Sequence, residues 1–581
     1  MRKITIALLP SILLLGSVMA FTIAGKLKMP PSAKAIKSAV AAQKRFAFGC
    51  SGVFDVDDIT GDIPPLPGWG NYAWKINTAS DSAQFYFNQG VNMYYGFHMI
   101  ESIASFQKAT KFDSTNAMLW YGRALSLGPT INDDATALPP VSAWECAAKS
   151  KMLSATCTPF EKALIDAIQQ RYTTDTSAKI EVLRQHYTEA MKAVSEQYSN
   201  NSDAVTLYAD ALMLQHPWDL YDINQQPKPW TPLIVSVLQN ALALNKLNPG
   251  ANHYYIHALE GSQHPEQALQ AAETLGTLMP GVSHVTHMPS HIYIRTGDYA
   301  KGIKVNDSAV AGYNNYLKLY APVINNMPLY KMHNVHLKAT CGQMAGNYTI
   351  AMHAAVSLHD EMPAEYLTGG QVPGFIQYVY ETPVLTEVRF GKWNEVLTQP
   401  VPDTTLPFAA QIMHFARGMA FSRLHRFDEA QKEIILFNSG MNNAQLKISA
   451  GAFSDAYSIC MVAQNILQGV FAQEQGQYLQ AVAALQKAVT AEDNLIYNEP
   501  RDWPLPARQF LGDVLLQTKA FAQAADVFSK ELVINPKNGW SLTGLLLAYK
   551  GMGKTADAAK VSARLKNAFV LKDSKIERPV F

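Results

Sequence analysis

The chain has 581 residues, with 48 basic against 47 acidic side chains, a formal net charge of +1 and 16% charged residues. That balance excludes a polyanion binder built on bulk charge, because nucleic-acid modules carry a clear basic excess. At 48% hydrophobic and 10% aromatic the chain can bury a large core, which excludes intrinsic disorder; since one core rarely grows past about 250–300 residues, several domains or one extended repeat array are required.

At the N-terminus, Arg2 and Lys3 precede an apolar run from Ile4 to Ala24, and Val18-Met19-Ala20 offers a small-x-small cleavage site. This is the layout of a secretory signal over residues 1–20, so the mature chain is expected to begin near Phe21 in the periplasm. A run of about 20 residues also suffices to span a bilayer, so an uncleaved anchor over residues 1–25 is the alternative, and the only route to a membrane. Residues 21–80 read as an extended lead-in, because Pro64, Pro65, Pro67 and five glycines between Gly49 and Trp74 oppose a helix. Five cysteines, Cys50, Cys146, Cys157, Cys341 and Cys460, are too few for a disulfide framework, and an odd count leaves one unpaired. Cys341 and Cys460 sit in apolar helical patterns; Cys146 and Cys157 are the candidates for pairing in an oxidising compartment.

From residue 81 onward the chain repeats. Leu511, Ala524 and Ala525 recur 34 residues later as Leu545, Ala558 and Ala559, and a 34-residue period of paired helices is the tetratricopeptide (TPR) spacing. The same grammar of small residue, turn and Ala or Gly appears at Gly469…Ala481, Gly418…Ala430, Gly346-Asn347-Tyr348…Ala351, Gly297-Asp298-Tyr299…Gly302 and, degenerately, Gln263-His264-Pro265…Ala268. Strand-type alternation is nowhere sustained. The expectation is an all-α, TPR-like superhelical solenoid, with an N-terminal and central array over 81–400 and a C-terminal array over 401–581. Stacked helix pairs create a long concave groove. Insertions around 129–158, 219–232, 313–328 and 366–383, rich in Pro, Asn, Gly or aromatics, are placed to roof it.

The histidines follow the repeat frame. With Ala268, Gly302 and Ala351 as a common origin, His253, His287 and His336 each lie fifteen residues earlier. His257 and His291 lie eleven before the first two origins, and His284 and His333 eighteen before the last two. Helical geometry puts His253, His257 and Glu260 within an arc of about 60°, and likewise His284, His287 and His291, and His333 with His336. Imidazoles converging from three neighbouring helices suit a divalent transition metal such as zinc, copper or iron. His253, His257, His287, His291 and His336 are the expected primary ligands, with His284 and His333 as further ligands or outer shell. Glu260 is a candidate ligand, orienting partner or catalytic base, and Tyr254, Tyr255, Tyr293 and Asn334 shape the pocket. A groove recognising a peptide carboxylate, or plain packing, are the competing readings. The other eight histidines, among them His98, His353 and His425, stand outside the pattern. Pro289, between His287 and His291, either kinks one helix or begins a new one near Met288.

These residues carry a resemblance. Phe87-Asn88-Gln89-Gly90, Tyr94-Tyr95-Gly96-Phe97-His98, Pro217-Trp218-Asp219, Asn252-His253-Tyr254-Tyr255-Ile256-His257-Ala258-Leu259-Glu260, His287-Met288-Pro289-Ser290-His291-Ile292-Tyr293, His333-Asn334-Val335-His336 and Asn498-Glu499-Pro500-Arg501-Asp502-Trp503 resemble strings of a family of exported bacterial TPR proteins. The resemblance runs from about Phe87 to the C-terminus; it implies an α-solenoid with a common site and supplies no reaction. Walker, Rossmann, HExxH and Gly-x-Ser-x-Gly motifs are absent. Two functions stay open: a periplasmic metal-dependent enzyme acting on a small molecule, and a TPR scaffold or peptide-binding protein serving an envelope partner without catalysis.

Overall fold

A computed structural model describes residue 59 and residues 61–133, 138–368, 373–448 and 453–581. The signal or anchor segment and Cys50 lie outside the described residues. Among these residues there are 27 α-helices and no strand; one isolated bridge joins Tyr221 and Pro227. Consecutive helices pack on one another along the chain, so the architecture is the expected all-α, TPR-like solenoid of helix pairs. No helix among the described residues is long and apolar enough to cross a membrane.

Small residues set the pair spacing. Phe528 wedges between Gly512 and Gly544, and a Cβ on either glycine would enter the ring. Phe106 fills the same role between Gly90 and Gly122, with the same sixteen-residue steps. A bulky ring in one helix and bare backbone on both neighbours is ridge-into-groove packing at close range. The apolar core divides into an N-terminal cluster from Ile63 to Tyr330 and a C-terminal one from Met332 to Val580.

The described part of the lead-in, 61–80, contains no helix, as its prolines predict. It straps onto the Asp81–Tyr95 helix, where the Gln89 side chain accepts a hydrogen bond from Leu66 N at 2.9 Å and Leu66 and Trp74 are buried. Cys146 and Cys157 do not pair. Cys146 faces the core from the Val141–Leu153 helix, whereas Cys157 follows a 3-10 turn and is only partly covered.

Pro289 begins a new helix. Ser283–His287 ends at Met288, Pro289–Thr296 starts with the proline at its first position, and Gly297 closes it in the left-handed region at φ 76°. A π-helical segment, Pro328–His333, leads into Asn334–Met344.

Candidate metal centre

Six of the seven histidines converge in two sets of three. His253, His257 and His284 form one triad and His287, His291 and His333 the other; within each, the candidate ligand atoms lie within 4.8 Å of one another, and all six residues are buried. His253 and His257 stand one turn apart on Pro249–Glu260, a helix begun by Pro249 and capped by Asn248, whose side chain accepts from Ala251 N. His284 and His287 come from Ser283–His287, His291 from Pro289–Thr296, and His333 from the end of the π-helical segment. The triads are neighbours, with ring centroids 6.0 Å apart for His284 and His287 and 6.2 Å for His257 and His291.

The two triads are one arrangement repeated. Each takes the fifteen-before and eleven-before histidines of one repeat and the eighteen-before histidine of the next. The grouping differs from the expected order of primary and further ligands. His284 and His333 complete the triads, whereas His336 joins neither; it is buried against the rings of Tyr378, at 5.5 Å, and Phe375.

Surrounding acceptors set the tautomers, because an imidazole nitrogen facing an acceptor must carry the proton there. His253 Nδ1 donates to the Tyr95 carbonyl at 2.6 Å and His257 Nδ1 to Glu260 Oε1 at 2.7 Å. His287 Nδ1 lies 2.5 Å from Asn306 Oδ1, and Asn306 is fixed as acceptor because its Nδ2 donates to Gly302 O. His291 Nδ1 lies 2.8 Å from Glu260 Oε2 and also contacts Glu499 Oε2. With their protons held on Nδ1, His253 and His257 turn Nε2 lone pairs toward each other at 3.1 Å; His284 Nε2 lies 3.2 Å from His253 Nε2, and His287 Nε2 faces His291 Nε2 at 2.7 Å. Two lone pairs at such distances repel unless a cation or a proton stands between them.

Electrostatics keep most rings neutral. Burial pushes His253, His284, His287 and His333 well below the usual histidine range, reinforced by neighbouring imidazoles. Burial also lowers His257, against the pull of Glu260. His291 is the exception: burial opposes its charge, but Glu499 and Glu260 outweigh it and raise it to about 10. Burial would raise Glu260, yet His291 and His257 hold it well below the usual carboxylate range. Glu499 is raised to about 8 by burial and by Glu260. Glu260, with one oxygen against a histidine of each triad, ties the two sets together; with His257 and Glu499 it forms a third group of convergent donors.

Four residues of the site escaped the periodic reading. Glu499 comes from the loop between Tyr478–Asp493 and Ala507–Gln517, inside the Asn498–Trp503 string. His98 is buried, donates from Nδ1 to Glu101 at 2.7 Å, stacks on Tyr330 and accepts from the His284 backbone N–H at 3.2 Å, so it buttresses the helix start. Phe97 lays its ring against His253, His257 and His284 with backbone at φ 56°. Trp218, at φ 59°, meets His257 edge-on. Non-glycine residues rarely adopt this region, and two of the six that do here touch the same triad. Phe97-His98 and Pro217-Trp218-Asp219 were visible as strings, without a signal of their role.

Of the expected pocket residues, Tyr254 stacks on Phe97, and Asn334 donates to Ser283 Oγ and to Tyr330 O, fixing the start of the His284 helix. Tyr255 accepts from Gln239, and Tyr293 lies under Lys301, so both serve the flanks. Roofing comes from Trp218, beside the 219–232 insertion, from Phe375 and Tyr378 of 366–383 over His336, and from the unforeseen 494–506 loop.

No protein-family model and no curated protein matches the chain. Solved structures with a similar course of helices include human IFIT1 as a dimer with m7Gppp-AAAA (12% identity, 85% of this chain and 91% of that one, TM-score 0.29) and yeast Tom70 (13%, 85% and 92%, 0.31). A third is the P58(IPK) TPR domain (10% identity, 84% of this chain and 92% of that one, TM-score 0.19). At these scores no function transfers; the TPR-like description rests on the helix pairs and their small-residue spacing.

Proposed function

We propose that the protein is an exported metalloprotein of the bacterial TPR type, holding one transition-metal ion in each histidine triad and acting on a small molecule. The observation that carries this reading is the convergence of six buried imidazoles in two triads, three of which, His253, His257 and His287, have acceptors that hold the proton on Nδ1 and leave Nε2 free to coordinate. His253, His257 and His284, and His287, His291 and His333, would each hold one ion, which as zinc would supply Lewis acidity toward water and as copper or iron would supply chemistry with dioxygen. Burial of all seven histidines favours a small substrate over a peptide groove, since a peptide would need the imidazoles at the surface. Export rests on the residues 1–20 layout, with the uncleaved anchor as its alternative.

Metal analysis of protein purified without an affinity tag tests the reading. Two equivalents per chain are expected, lost in a His257→Ala, His291→Ala double variant and kept in His353→Ala and His425→Ala. A wild type free of zinc, copper and iron would return the chain to a TPR scaffold of the cell envelope. Mass spectrometry of the mature protein, expected to begin near Phe21, tests export.

A further inference from the structure

Beside the histidine centre lies a narrow cleft that opens to solvent. One short stretch of chain builds the wall between them. Tyr497 donates to Glu260 Oε2 at 3.2 Å and Glu499 touches His291, while Arg501 and Trp503 line the cleft. Arg295 lines it too, anchored by hydrogen bonds to the Glu260 and Ser262 carbonyls.

The polar groups of this cleft are unbalanced. Arg501 Nε and Nη2, Trp503 Nε1 and Arg295 Nε are buried without a hydrogen-bond partner, and Trp503 and Arg295 are only 3% and 6% exposed. Every orphan among the lining side chains is a donor. Leaving a buried donor unmet costs about 1–3 kcal/mol, and more for a charged one, so such groups ordinarily face a ligand or water. Glu492 is the one carboxyl group in the lining; it accepts from Ala507 N, and burial raises it to about 8, so it offers no lasting countercharge at neutral pH. Arg295 is pushed down to about 10 by burial and by the nearby Arg501 charge. Two guanidiniums thus share a cleft in which Arg501 keeps a donor edge without an acceptor, while Glu260 and Tyr497 stand beside Arg295.

The free edge identifies the acceptor. Nε and Nη2 form one side of a guanidinium, a two-donor edge that matches the two oxygens of a carboxylate. The same edge of Arg578 grips Asp513 at 2.7–3.3 Å in this protein. Ile294 and Met344 give the cleft apolar walls.

We propose that this cleft binds the carboxylate of a small organic acid on Arg501 and Trp503, with the acid's apolar part against Ile294 and Met344. Binding stands on the cleft's own donors and does not depend on the function proposed above.

Calorimetry on the full chain with benzoate, benzamide and phenyl phosphate tests it, alongside metal analysis of each protein. Benzoate is expected to bind wild type at least about tenfold more tightly than benzamide, the scale of one charge-assisted contact. Arg501→Gln should lose about tenfold or more of benzoate affinity and Trp503→Phe several-fold, both with unchanged metal content. Absent benzoate binding, equal affinity for benzamide, tighter binding of phenyl phosphate, or full benzoate affinity in both variants would overturn the proposal. Metal-free protein that binds benzoate sinks the metal reading and keeps this one; metal-loaded protein that ignores benzoate does the reverse.

Discussion

Glu260→Gln probes the centre at the one residue both triads share. Glu260 is 1% exposed, with Oε1 2.7 Å from His257 Nδ1 and Oε2 2.8 Å from His291 Nδ1. The amide keeps the shape but turns one oxygen into an N–H₂ donor facing an N–H. That imidazole must then move its proton to Nε2, where it blocks coordination, and the other loses a charge-assisted bond for a neutral one. A hydrogen bond to a charged group contributes about 1.5–3 kcal/mol. Loss of an outer-shell partner typically lowers metal affinity by about 10–100-fold, or about 1.4–2.7 kcal/mol. Because the two histidines belong to different triads, both ions should weaken. Asn306→Ala is the local control, since Asn306 touches His287 alone among the triad histidines. Competitive titration of zinc against a chelator resolves the two affinities. Glu260→Gln that keeps both affinities within about threefold, or weakens a single site, refutes the bridging role.

Other outcomes follow from the same geometry. Without metal, His291 holds its proton up to about 10, so an ion entering its triad must displace that proton; zinc affinity there should rise by up to about tenfold per pH unit between pH 6 and 9. At the His253, His257 and His284 triad, whose rings burial keeps neutral, affinity should stay flat over that range. Burial raises Glu381 to about 8 from the usual 4.5, so the folded state keeps a proton the unfolded chain releases; stability falls as pH rises from about 4.5 to about 8, by at most about 5 kcal/mol. Glu381→Gln should flatten that fall in thermal unfolding between pH 5 and 8. Gly544→Ala, which drives a methyl into the Phe528 ring, should destabilise by about 1–3 kcal/mol in urea unfolding without changing metal content.

The fold was legible because helix-pair packing writes itself locally: Phe528 needs bare backbone on both sides, and that need repeats as glycines at fixed steps. Turn chemistry was legible for the same reason, with Gly297 and Gly346 in the left-handed region between paired helices. What stayed hidden was contact across the chain. Glu499 reaches His291, and Tyr497 reaches Glu260, from more than 200 residues away, and His98 meets His284 across 186. A helical period ranks residues that share a helix; it is blind to a loop returning from another repeat. Whether Cys146 pairs with Cys157 was likewise hidden, since proximity in sequence says nothing of which side of a helix faces the core; both are free.

The position of His336 outside both triads has a more instructive cause. Treating equal slots as equal ligands assumes that a site lies within one turn level of the array, whereas each triad here borrows its third imidazole from an earlier turn of the following helix. The next origin, counted as in the others three residues into the second helix, is Val396 of Trp393–Thr398, and its eighteen-before residue is Tyr378. A third triad would therefore comprise His336, Thr340 and Tyr378, and His336 does pack against Tyr378. The geometry of the site continues for one more repeat while its chemistry stops, because the second and third places carry a hydroxyl and a phenol. His336 is a histidine in the right slot of an incomplete triad, and the array provides two candidate metal sites because only two consecutive junctions supply all three imidazoles.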